Sequence, residues 1–346
     1  MKNLTIKKVA LGLFLAGYAA SSAFATQVET TVNTIIGNKP VLQSRAGQDH
    51  ELTVDIIHAN GTPFTGGTVR VGDKIHIKYR LADLDGDTDT ATAEKVKSSL
   101  KIYGKTSSGP WTVLTTQPTV TSNYDSNDQE LGELVFEINS DFVGKDKIGF
   151  KIKAETEFGV PTEGEWLAVG DIFGSGTPNH GDIDPTDPGN AGGPGDGNSS
   201  NGGIGTIPGP IMPSSGQLGI FLIDSTGVIT NNESYTKSGT ALTPRYGERY
   251  AAVIWDDSDG NKKIDSGETE YTSNFTFVWN VTGAGVPGNG GSQPGSNADL
   301  TGDGNRSGTN DTIFLGSKNN TAKHNSLYSG YSVAGIQGYQ LQVKTN

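Results

Sequence analysis

The sequence contains no cysteine. This excludes a disulfide scaffold, a thiol nucleophile and any thiolate metal site. Histidine is scarce: the five are His50, His58, His76, His180 and His324, and none stands at metal-ligand spacing with another. Positive charge is also short. Beyond the first 25 residues, 23 Lys and Arg face 38 Asp and Glu, a net charge of −15. Such a surface repels phosphate backbones and anionic lipids, so nucleic acid and lipid are disfavoured as partners. Long apolar runs are missing except at the start, where Lys2, Lys7 and Lys8 flank VALGLFLAGYAA and the small-x-small site Ala23-Phe24-Ala25. This is the pattern of an export signal over residues 1–25, with the mature chain beginning at Thr26. The apolar run is shorter than the roughly 20 residues a membrane-spanning helix needs. The expectation is a secreted chain that passes through the periplasm.

Catalytic signatures are missing as well. There is no GxSxG nucleophile elbow and no paired-histidine zinc helix. The string Gly283, Gly285, Gly288 matches GxGxxG, but VPGNGGSQPGSN cannot begin the helix that a phosphate cradle requires. Acids are abundant, yet nothing selects one pair as a glycosidase couple. A non-enzymatic role is expected.

What the chain does have is alternation. Ile75, Ile77, Tyr79 and Leu81 share one face of KIHIKYRL; Leu134, Phe136 and Ile138 share one face of ELVFEI; Ile148, Phe150 and Ile152 share one face of KIGFKIKAE. A period of two marks half-buried strands. Further strands are expected at 52–58, 99–106, 111–116 and 165–173, and later at 219–224, 248–257, 274–281, 312–316 and 338–345, with one short helical turn within 91–99. Residues 174–216 hold 13 glycines and 7 prolines in 43 positions and read as a flexible linker. The expected fold is all-β: an N-terminal arm over 26–39, one antiparallel β-sandwich over 40–173, and a second over 217–346.

Three acidic loops are candidate sites. DSDGNKKIDSGE places Asp257, Asp259, Asn261, Asp265 and Glu268 at positions one, three, five, nine and twelve of a calcium loop. Position six, where glycine makes the sharp turn, is Lys262, and the flanks read as strands. The competing reading is an acidic hairpin tip. A second loop gathers Asp83, Asp85, Asp87 and Asp89, and a third carries Asp299, Asp303, Asn305 and Asp311; neither ends in a glutamate at position twelve.

In both VGDKIHIKYRLADLDGDTDT (71–90) and TPRYGERYAAVIWDDSDGNKKIDSGE (243–268), an alternating or aromatic strand runs into an acidic loop. Here the chain resembles the exported exoproteins of enteric bacteria that are encoded beside an intimin/invasin-type outer-membrane barrel, the ZirS/ZirU kind. The resemblance implies Ig-like modules, export with or through the partner barrel, and binding to that barrel or a sister exoprotein, with a part in moderating host encounters. It implies no catalytic residue. The alternative is a calcium-dependent surface adhesin that recognises a glycan or host receptor through its acidic loops, with Ca2+ as its one cofactor.

Overall fold

The computed structural model describes residues 29–106, 109–190, 192–195, 209–285, 295–316 and 335–346; the expected export signal over 1–25, Gly288 and His324 lie outside them. Residues 29–36 belong to a separate N-terminal unit, and Gly37–Asn346 form one compact body.

The alternating stretches fold as their periodicity dictates. In the first half, β1 (Val41–Gln43), β2 (Thr53–Ile57), β3 (Lys74–Ala82), β6 (Val120–Tyr124) and β7 (Leu131–Glu137) form one five-stranded antiparallel sheet. A second five-stranded sheet takes β4 (Lys101–Lys105), β5 (Thr112–Val113), β8 (Lys147–Glu155), β9 (Glu163–Val169) and β10 (Asn179–Gly181) in the order β10-β9-β8-β4-β5. The faces predicted to be apolar meet. Ile75, Ile77, Tyr79 and Leu81 from β3 and Leu134 and Phe136 from β7 join Ile148, Phe150 and Ile152 from β8 in one buried core. The helical turn expected within 91–99 is α1 (Lys95–Ser99).

Two three-stranded antiparallel sheets build the second half. One is β11 (Gly216–Ile223), β12 (Arg249–Asp256) and β15 (Thr312–Phe314); the other is β14 (Asp299–Leu300), β13 (Phe277–Thr282) and β16 (Gln340–Thr345). β12 is a continuous apolar run because both of its faces are covered. Tyr250, Ala252 and Ile254 face the core shared with β13, while Ala251, Val253 and Trp255 face a second cluster under Ile229 and Ile264. The chain is therefore all-β with several antiparallel sheets.

The linker expected over 174–216 meets a different arrangement where it is described. Asn179–Gly181 is a paired strand, in register with Trp166–Ala168 of β9. The chain then straps the outer face of β8. Lys151 donates to Asp184 (2.5 Å) and to the Pro185 carbonyl (2.6 Å), Trp111 Nε1 donates to the Gly189 carbonyl at 2.7 Å, and a side chain at Gly149 would lie 2.8 Å from both Trp111 and Pro188. Composition misleads here because a strap needs only backbone carbonyls and prolines set against a polar face.

Residues 209–216 also form a fixed joint between the halves. Ile211 is fully buried in the first core, and its amide bonds the Lys145 carbonyl while its own carbonyl accepts from Gly144. The Val71 amide donates to the Met212 carbonyl and the Met212 amide to the Val69 carbonyl, and Val71 and Met212 pack on the second core, where Val143 is buried. Arg70 caps the joint by donating to the carbonyls of Pro213 (3.2 Å) and Gly216 (3.1 Å).

Candidate functional site

The acidic hairpin after β12 is held by the strand that precedes it. Trp255 Nε1 donates to the Lys263 carbonyl at 3.1 Å, and Ile264, whose amide bonds the Asn232 carbonyl, packs on the outer cluster. The chain reverses through left-handed residues at Gly260 (φ 71°) and Lys262 (φ 56°). Lysine thus adopts the conformation that the sixth position of a calcium loop takes, without the freedom glycine would give it. Carboxylate oxygens of Asp257, Asp259 and Glu268 lie within 4.8 Å of one another.

The hairpin also satisfies itself. Asp257, buried, accepts from the amides of Asn261 (3.1 Å) and Lys262 (3.0 Å); Glu268 accepts from Ser258 (3.0 Å) and Asp265 (2.9 Å). Asn261 turns its amide nitrogen toward Asp259 and Asp265, at 2.7 Å each. A neutral donor therefore bridges two acids of the loop, and Asp265 is held outside the carboxylate trio. Burial first, then the charges of Glu268 and Asp259, raise the Asp257 carboxyl above its ordinary value, against the Lys262 and Asn261 amides. A raised folded-state value means that Asp257 weighs against folding at neutral pH, and that this penalty fades as pH falls through the raised value. Asp257→Asn is expected to flatten that part of the acid limb of a stability–pH profile, measured by urea midpoints.

The second loop splits in two. Asp83, Asp85 and Asp87 bring carboxylate oxygens within 4.8 Å of one another, but Asp89 turns inward. Asp89 accepts from the amides of Lys95 (2.9 Å) and Val96 (3.0 Å) and from the Tyr124 hydroxyl (2.9 Å), so it serves the first turn of α1. Its expected place beside the other three is corrected by this inward hydrogen bonding. Asp89→Ala should lower stability by about 2 kcal/mol, read by chemical denaturation, because it leaves two helix-start amides and a half-buried hydroxyl unpaired. Within the remaining trio, Asp83 Oδ2 is buried with no hydrogen-bond partner. Asp85 is pinned by Asn38, whose backbone amide and side-chain nitrogen donate at 2.5 and 2.9 Å.

The third loop is structural. Asp311, fully buried, accepts from the amides of Arg306 (2.6 Å), Ser307 (2.8 Å) and Gly308 (2.8 Å). Asp303 pairs with Arg249 at 2.7 Å, Asn305 accepts from the Asn310 amide at 2.7 Å, and Asp299 is an exposed residue of β14.

Three exposed apolar side chains stand around the second loop. Leu84 is 88% exposed within it, and Phe158 (66%) and Val160 (69%) stand on the β8–β9 loop beside it. The two loops are joined by the Glu157 amide on the Thr88 carbonyl at 2.9 Å and the Thr90 hydroxyl on Glu157 at 2.6 Å. Alternation gave no warning of this tip, since neither loop has a period. The fold also assembles a group that spacing did not reveal: His50 and His180, 130 positions apart, stack at 3.9 Å beside Glu165.

Comparison with known proteins returns neither a matching family model nor a matching curated protein.

Proposed function

We propose that this chain is a secreted, non-enzymatic protein-binding exoprotein built of Ig-like modules, exported with or through a partner outer-membrane β-barrel and binding that barrel or a sister exoprotein. The observation that carries this reading is the tip formed by loops 83–88 and 156–162, where Leu84, Phe158 and Val160 stay exposed on segments fixed by hydrogen bonds. Exposed apolar side chains on a rigid frame suit a protein interface, because little conformational freedom remains to be lost on binding. The acids between them favour a partner surface with positive charge.

Two measurements test the proposal. Leu84→Asp combined with Phe158→Asp should weaken capture of the sister exoprotein or of the barrel's external region at least tenfold, with the thermal midpoint unchanged; undiminished capture would remove the tip from the interface. In cells that lack the barrel, the chain should stay in the periplasm. Normal appearance in the medium would sink the export reading.

The calcium-dependent adhesin remains as a second reading, favoured by the unpartnered Asp83 Oδ2. Both acidic trios are partly engaged, Asp85 by Asn38 and the hairpin acids by Asn261 and backbone amides, and what favours Asp83, Asp85 and Asp87 is the one buried oxygen that no donor meets. When bound, calcium would screen the three charges and supply the counter-charge that the buried oxygen lacks. Millimolar Ca2+ should then raise the thermal midpoint of the native chain and not of Asp83→Asn. Equal response of the two, or none, ends this reading.

A further inference from the structure

We propose that His50, Glu165 and His180 form a binding site for a borderline divalent transition ion of the Zn2+ class, and that the bound ion clasps the two sheets of the first half across their open edge. Each ligand comes from a different segment: His50 from the loop after β1, Glu165 from β9, and His180 from β10. One ligand atom from each lies within 4.8 Å of the others. His180 Nδ1 sits 2.6 Å and His50 Nε2 3.5 Å from the same Glu165 oxygen. Two imidazoles and one carboxylate form an open zinc set with a fourth position left for solvent. The same set is a poor match for Ca2+ or Mg2+, which take oxygen ligands.

The geometry needs only side-chain adjustment. The rings are parallel (1°) at 3.9 Å, whereas ligand atoms about 2.1 Å from one tetrahedral ion stand roughly 3.4 Å apart. His180 is 46% exposed and can turn about its side-chain torsions to meet the ion. Pairing with Leu167 of β9 fixes its backbone, and a 2.9 Å bond from the His50 amide to the Leu42 carbonyl fixes His50. Lys39, whose charge is felt by Glu165, is engaged by Asp182 at 2.6 Å. A stacked pair of histidines against one carboxylate also reads as two ring nitrogens set against the same Glu165 oxygen with no metal between them. The clasp differs from that reading by requiring a metal.

The test uses the whole mature chain stripped with EDTA. Zn2+ titrated by calorimetry should bind one ion per chain, Co2+ at the same site should give the intense visible bands of a tetrahedral complex, and Ca2+ should not compete. His180→Ala and His50→Asn, the latter because asparagine tolerates the left-handed backbone of that position (φ 59°), should each weaken Zn2+ binding at least tenfold. His76→Ala, whose histidine pairs with Glu133 on the other sheet, should not. Zn2+ should also slow amide exchange across Asn179–Gly181. Zn2+ binding unchanged in His180→Ala and His50→Asn, or no binding by the native chain, overturns the site; binding without slower exchange at Asn179–Gly181 overturns the clasp. Equal thermal midpoints of the variants and the native chain in EDTA confirm that folding is not what is being read.

Discussion

Replacing Trp255 with alanine should lower the stability of the folded chain by about 3–5 kcal/mol, the range for truncating a large buried aromatic. The indole is fully buried, meets Phe221 edge-on at 5.2 Å, and occupies space left by Gly219, where a side chain would lie 2.9 Å from its ring. Its loss leaves a cavity between two strands whose other faces are already packed, so the sheet cannot collapse to fill it. The Lys263 carbonyl also loses its donor, and the acidic hairpin loses the bond that folds it back on the sheet. Urea denaturation measures the first effect. Trypsin, which cuts after lysine, measures the second through faster cleavage at Lys262 and Lys263. A loss below about 1 kcal/mol would show that the outer cluster repacks, contrary to the burial of Ala251, Val253 and Trp255.

Gly144→Val should be nearly as damaging, for a different reason. Gly144 has φ 80°, which L side chains rarely adopt, and a side chain there would collide with the backbone carbonyl of Asn274 in the second half. Asn274 in turn donates its side-chain nitrogen to the Val143 carbonyl at 3.0 Å. The substitution wedges the joint at its tightest point. About 2–4 kcal/mol of strain and lost contact is expected. By calorimetry, one cooperative unfolding transition should become two as the halves uncouple. A single transition at an unchanged midpoint would show that the joint does not hold them together.

Much of the fold was legible because alternation is a local signal. β3, β7 and β8 are read from residues two apart, and their buried faces are those the period names. The strap over β8 was not legible, because its partners lie far off in sequence: Trp111 meets Gly189, and Lys151 meets Asp184. Glycine and proline mark freedom in isolation, yet Gly149 and Pro188 make one close contact when they meet. The acidic loops were visible as clusters, but which acids stay together depends on direction. Asp89 differs from Asp87 only in facing inward to α1. The trio of His50, Glu165 and His180 left no trace in spacing, because it joins three segments that only the two-sheet packing brings side by side.

The order of pairing has a consequence in time. The strap and Ile211 dock on strands that precede them, so by residue 211 every buried residue of the first core exists. The second half must wait: β12 needs β15 at 312–314, and β13 needs β16, whose Thr345 pairs with Phe277. A chain delivered across a membrane from its N-terminus would complete the first half while the aromatic strands β12 and β13 still lacked their closing partners. During that interval Trp279, whose core neighbours include Leu341 and Val343, would be within reach of a chaperone, a window whose length is set by the sequence between Val281 and Gln340.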